Sequence, residues 1–109
     1  MQVEKEMVDG ETVLHLKGNK LDSAVVVQFK DRFREVADEG APRLILDMSQ
    51  VDFMDSSGLG AVVAAMKHLG PGRKLVIASL SNTVAKVFKL TRMDSVFSIY
   101  PTVKDAVNA

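Results

Sequence analysis

Two short uninterrupted apolar runs, Leu44-Ile45-Leu46 and Leu75-Val76-Ile77-Ala78, limit what this chain can fold into more than any other feature. A strand with one face in water alternates apolar and polar residues, whereas a run without alternation is buried on both faces. Each run therefore reads as a central strand, parallel to a neighbour and covered by helices. Segments of helical spacing supply those helices. Val26, Phe29, Phe33 and Val36 recur at that spacing, with Lys30, Asp31, Arg34 and Glu35 opposite them. Asp22 and Ser23 are candidate N-caps, and Gly40 and Pro42 mark the stop. Leu59, Val62, Val63, Met66 and Leu69 mark a second helix, closed by Gly70-Pro71-Gly72. Ser81 or Asn82 caps a third, carrying Val84, Val87 and Phe88.

The ends complete the pattern. Two alternating runs, around Val3 to Met7 and Val13 to Leu16, flank Asp9-Gly10 and predict a hairpin, because both residues tolerate the positive φ of a tight turn. Gly18 to Leu21 is a connection. Val96 to Tyr100 is a last, shorter strand, and Thr102 caps a final turn or two bearing Val103, Ala106 and Val107. The order ββαβαβαβα predicts an α/β fold with a mixed sheet, parallel except where the hairpin enters. In such sheets, sites form beyond the carboxyl ends of the strands. The loop 47–55, the start of the second helix, Ser79-Leu80-Ser81 and the Gly18 to Ser23 connection gather there.

At 109 residues the chain has the size of one domain. Fourteen Lys and Arg balance fourteen Asp and Glu, so the totals carry no footprint for nucleic acid or an anionic membrane. With no cysteine there is no disulfide, thiolate metal site or cysteine nucleophile. Met1-Gln2-Val3-Glu4-Lys5-Glu6 is charged where a signal peptide needs an apolar core, and Gly58 to Met66 is about half a membrane span. The expected location is the cytoplasm.

The chemistry concentrates at Asp52-Phe53-Met54-Asp55-Ser56-Ser57-Gly58-Leu59-Gly60. Asp55 or Ser56 suffices to cap the second helix. Two glycines in a first turn need a further reason, since each costs about 1 kcal/mol relative to Ala in a helix. Bare backbone permits close approach of a partner or of another element. A dinucleotide fingerprint fails because Val63 stands where its third glycine belongs, and a Walker A loop fails for want of G-K-[ST]. A nucleophile elbow would need glycine at Met54. His68 lies twelve residues along the helix from Ser56, about 18 Å, too far for a general base. His15 reads as a plain surface residue. Asp47, Asp52 and Asp55 lack the further acids of a metal or phospho-aspartate site, and read as caps and solvated loop acids. A phosphate on a serine at the helix start would meet free N–H groups and the positive dipole end, while adding about −1.5 to −2 charges beside two aspartates.

The stretch from Ile45 through Gly60 closely resembles the signature of the STAS domain, in particular bacterial anti-sigma-factor antagonists. The similarity continues through Gly70 to Lys74, Ser79 to Val84 and Phe88-Lys89-Leu90-Thr91-Arg92-Met93-Asp94, and covers essentially residues 1–109. The resemblance implies a single STAS domain: a mixed four- to five-stranded sheet flanked by about four helices, with no catalytic residue, metal or cofactor. It implies a partner-switching role, in which the unmodified domain binds an anti-sigma factor that is also a serine kinase of the GHKL type. Phosphorylation releases the domain and a serine phosphatase resets it. The acceptor position is the serine after the aspartate, Ser56, with Ser57 the second choice. Asp22, Ser23, Met54, Asp55, Ser57, Gly58, Leu59, Gly60 and Ser81 are the expected partner contacts.

One departure stands out. Gly18-Asn19-Lys20-Leu21-Asp22 is one residue longer than the family's usual approach to the first helix. The turn after it, Ala24-Val25-Val26-Val27, is unusually β-branched, so Val25 or Val27 is expected on the surface. The other STAS role, an unphosphorylated subunit of a membrane-associated complex such as a lipid transporter, is the alternative expectation.

Overall fold

A computed structural model describes residues 1–109. Strands β1 (Gln2–Val8) and β2 (Glu11–Lys17) form the hairpin, and Asp9 and Gly10 take φ of 50° and 81° in its two-residue turn. Positive φ at both positions gives the turn whose twist matches that of the strands. Then follow β3 (Lys20–Leu21), α1 (Val26–Ala37), β4 (Arg43–Asp47), β5 (Phe53–Met54), α2 (Ser56–Leu69) and β6 (Lys74–Ala78). Helix α3 (Asn82–Leu90), a 3-10 turn (Met93–Ser95), β7 (Ser98–Tyr100) and α4 (Val103–Val107) complete the chain. The main sheet has five strands in the order β1-β2-β4-β6-β7, antiparallel at β1–β2 and parallel elsewhere.

The two apolar runs are the centre of this sheet, and their twofold alternation splits them between two cores. Leu44, Leu46, Leu75 and Ile77 face α1, α2 and α3, where Phe29, Phe33 and Phe88 are fully buried. Truncating one such phenylalanine costs about 3–5 kcal/mol. Ile45, Val76 and Ala78 face the other way with Val13, under Ala106 of the five-residue α4. Arg43 ties that short helix down, donating to the Val107 carbonyl at 3.3 Å and to Glu11 at 2.9 Å. On the hairpin side, the same face is polar and open to water, as an antiparallel edge allows.

Several expectations change. Neither Asp22 nor Ser23 caps α1, which begins after Val25 with no side-chain cap. Asp22 instead closes the preceding turn: its Oδ1 accepts from the Ala24 N–H, and its carbonyl from Val25 and Val26. The β-branched valines disfavour an earlier helix start, and Val27 is 66% exposed, as expected. Two pieces read as loop, Lys20–Leu21 and Phe53–Met54, pair as a separate two-stranded parallel sheet. The last strand starts at Ser98 rather than Val96, because Arg92 turns left-handed (φ 61°) into the 3-10 turn and Phe97 drops against Phe88.

His15 is not a plain surface residue, and Asp47 is not a solvated loop acid. Their strands are paired in register, His15 opposite Asp47. His15 Nδ1 meets Asp47 Oδ2 at 2.6 Å and Nε2 meets Glu6 Oε1 at 2.8 Å. Burial disfavours the charged imidazole, but the hydrogen bonds and charges of Asp47 and Glu6 outweigh it and hold its pKa above the ordinary value.

Candidate functional site at the start of α2

The chain reaching α2 is fixed step by step. Asp47 Oδ1 accepts from the Ser49 N–H at 3.0 Å, and Val51 N–H donates to the Met48 carbonyl. The Asn19 carbonyl then accepts from both Asp52 and Phe53. Next, β5 pairs with β3 in the register Lys20 to Phe53 and Leu21 to Met54. One residue further, Asp22 and Asp55 leave the ends of the two strands together.

Asp55 is the N-cap of α2, in extended conformation, its Oδ1 accepting from the Gly58 N–H at 2.9 Å. This occupies one of the free N–H groups of the first turn. Ser56 and Ser57, the first two helical residues, are both exposed. Their N–H groups and the positive end of the helix dipole lie beside their own hydroxyls. No acid stands in the first turn of α2 to offset that field.

The two glycines have different causes. A Cβ on Gly58 would lie 2.1 Å from the Leu21 carbonyl oxygen, so any side chain there would push β3 off the helix. A Cβ on Gly60 would meet nothing within 4 Å. Gly58 is thus bare because the fold needs it, and Gly60 answers to nothing inside the chain.

This sorts the expected contact residues. Ser23, Ser57 and Gly60 are exposed, and Asp22, Asp55, Leu59 and Ser81 are half-buried. Met54 and Gly58 are buried, so the unbound chain does not offer them on its surface: Met54, 4% exposed, faces the core because Leu21 beside it does, and Gly58 lies under the Leu21 carbonyl. Ser81 Oγ accepts from the Val84 N–H at 3.2 Å as the cap of α3. Ser79, at φ 64°, swings the chain from β6 towards that cap. Phe53, 46% exposed, was missed. Twofold alternation signals it, since Met54 pointing inward sends Phe53 outward. No cluster of three His, Asp or Glu side chains is placed to hold a metal ion, and no helix is long and apolar enough to cross a membrane.

The architecture is that of a small mixed-sheet α/β domain with an exposed hydroxyl pair at one helix start. The STAS domain family model matches residues 2–106, and the chain belongs to that family. It is 24% identical over 99 residues to the anti-sigma-F factor antagonist RsfB of Mycobacterium tuberculosis, covering 91% of this chain and 80% of that one. It is similar in structure to an anti-sigma factor antagonist from Mycobacterium paratuberculosis, with 25% identity, a TM-score of 0.89, and coverage of 98% and 91%. It is also similar to the phosphorylated form of the Bacillus cell fate determinant SpoIIAA, with 28% identity, a TM-score of 0.72, and coverage of 98% and 97%.

Proposed function

We propose that this protein is an anti-sigma-factor antagonist that works as a phospho-switched binding module and catalyses nothing itself. The observation that carries the reading is the exposed Ser56 hydroxyl on the first residue of α2, directly after the Asp55 cap. The unmodified face binds an anti-sigma factor that is a GHKL-type serine kinase. Exposed Ser23, Ser57, Gly60 and Phe53 supply its contact surface, with Asp22, Asp55, Leu59 and Ser81 at its margin. Gly60 keeps the relief low where no neighbour inside the chain asks for it.

Transfer of the terminal phosphoryl group of Mg-ATP to Ser56 Oγ places roughly two negative charges at the helix start. The two free N–H groups and the dipole accommodate that charge without refolding. Asp22, Asp52 and Asp55 repel it, and so does any acidic or apolar surface on the partner. Binding is lost while the domain stays folded, and a serine phosphatase restores it. The relatives named above, one of them solved in a phosphorylated form, support this role over that of a membrane-complex subunit.

Incubation with the cognate kinase and Mg-ATP, followed by intact-mass spectrometry, tests the reading. The expected result is one added phosphate on Ser56, absent in Ser56→Ala, which still binds the kinase. Phosphate on Ser57 instead would move the switch by one residue. No phosphate with a kinase that does bind would overturn it.

A further inference from the structure

The balanced net charge conceals a strong segregation along the chain. Residues 1–55 carry twelve acids against seven Lys and Arg, whereas residues 56–93 carry six Lys and Arg and no acid at all. A groove of about 220 Å³ opens between the end of α2 and the start of β6, lined by Met66, Arg73, Lys74 and Leu75 from this acid-free part and by Val96 and Ser98 just beyond it. The other concavity, between α1 and α2, admits only about 10 Å³.

The groove has an apolar floor and a cationic rim. Leu75 is buried, Met66 half-buried, and Val96, at 49% exposed, is one of the few large apolar side chains left in water. Lys74 is exposed and takes no carboxylate partner, in contrast to Lys5, Lys17, Arg32 and Arg43, each of which has one. Arg73 is braced from behind, Nε on the Ala41 carbonyl at 2.9 Å and Nη2 on the Ala37 carbonyl at 2.6 Å, leaving Nη1 free. The sheet edge is also incomplete here. Strand β7 pairs only with Val76, Ile77 and Ala78, so on the side away from β4 the strand β6 extends two residues beyond its neighbour; the Lys74 N–H is taken by the Pro42 carbonyl towards β4, and alternation turns the backbone groups of Leu75 to the side that β7 leaves open.

We propose that this notch binds an extended acidic peptide segment of a partner protein, added as a short strand beside the start of β6. An unpaired strand edge is a template for main-chain hydrogen bonds, and side chains of such a peptide point alternately to either side. An apolar residue then sits on Met66, Leu75 and Val96, while flanking carboxylates reach Lys74 and Arg73. The volume lies below the range of about 300–1,000 Å³ usual for small-molecule sites but suits one or two side chains of a passing chain. Met66 is ten residues along α2 from Ser56, roughly 15 Å at the helical rise, and Lys74 begins β6 at the opposite end of the parallel strands. The notch is therefore a second docking point, independent of the switch at Ser56.

The test is an amide-resolved NMR titration of the full chain with the blocked peptide Ac-Glu-Val-Glu-Val-Glu-NH2, using Ac-Lys-Val-Lys-Val-Lys-NH2 as control. The expected result is saturable shifts at Met66, Lys74, Leu75, Val96 and Ser98 with the acidic peptide only. Affinity should fall about tenfold in Lys74→Glu, whose fold is checked by the unchanged remainder of the spectrum, and should weaken with added salt. Val96→Ser, which keeps every charge, should weaken binding as well. Shifts absent at millimolar peptide, scattered elsewhere, equal for the two peptides or indifferent to Lys74→Glu would overturn the proposal. So would self-association of the free protein through these residues, or co-sedimentation with phosphatidylglycerol vesicles in place of peptide binding.

Discussion

Strands β3 and β5 lie side by side, run parallel, and each hands the chain to an aspartate and then to a helix. At α2 the aspartate is the cap: Asp55 binds the Gly58 N–H, and Gly58 packs against the Leu21 carbonyl. At α1 the aspartate is spent three residues early, on the Ala24 N–H, and the helix begins uncapped among valines, one of them 66% exposed. The lead-ins differ too. The chain before α2 is anchored through Asp47, which His15 and Glu6 hold in turn. The same topology thus supplies one helix start fixed by a side-chain cap and close packing, where exposed hydroxyls stand, and one with no side-chain cap.

The sharpest way to break this contrast is Gly58→Ala. The added methyl would collide with the Leu21 carbonyl, and overpacking should cost about 3 kcal/mol in chemical denaturation. A loss below about 1 kcal/mol would mean that β3 yields easily and the α2 start is no more rigid than the α1 start. Asp55→Ala should cost about 1 kcal/mol through the lost cap, with most of it recovered in Asp55→Asn.

The His15 anchor gives a pH signature of similar or smaller size, on the order of 1 kcal/mol for a partly water-exposed charged pair. The folded pKa of His15 is raised, so its stabilising contribution is full below the ordinary value of 6.5. That contribution is lost as pH rises through the folded pKa. Glu4, opposite His15 across the hairpin, and Lys17, two residues along the strand of His15, share its face and pair with one another at 4.0 Å. Denaturation midpoints of the wild type measured from pH about 5 to 9 should therefore fall more steeply than those of His15→Gln. Parallel curves would remove His15 from the lead-in to α2.

Gly60→Ala should stabilise the fold by about 0.5–1 kcal/mol, since the methyl meets open space and alanine favours helix. If it also weakens partner binding, Gly60 is a contact residue. The smallest effect, a few tenths of a kcal/mol, is expected for Asp22→Ala, because a solvent-accessible turn replaces that bond with water. A loss as large as that of Asp55→Ala would erase the difference between the two helix starts.

Much of this was legible before any coordinates. The unbroken runs Leu44–Leu46 and Leu75–Ala78 named the central strands, Asp9-Gly10 the hairpin, and Phe29 and Phe33 the buried face of α1. Those signals are local: strand and helix periods, turn dihedrals and caps act within a few residues. The position of Ser56 beside an aspartate cap was equally readable, because a cap is a matter of adjacent residues.

What sequence alone did not decide depends on residues distant along the chain. Lys20–Leu21 and Phe53–Met54 are too short to register as strands and form only because each completes the other. Gly58 could have been bare for a partner or for the fold, and only the Leu21 carbonyl, 37 residues away in sequence, chooses between them. His15 and Asp47 look unremarkable until parallel pairing sets them opposite one another. The chain determined its elements and where a hydroxyl would stand at a helix start. Tertiary packing decided which side chains around that hydroxyl remain free to meet another molecule, since burial is a property of neighbours rather than of residues.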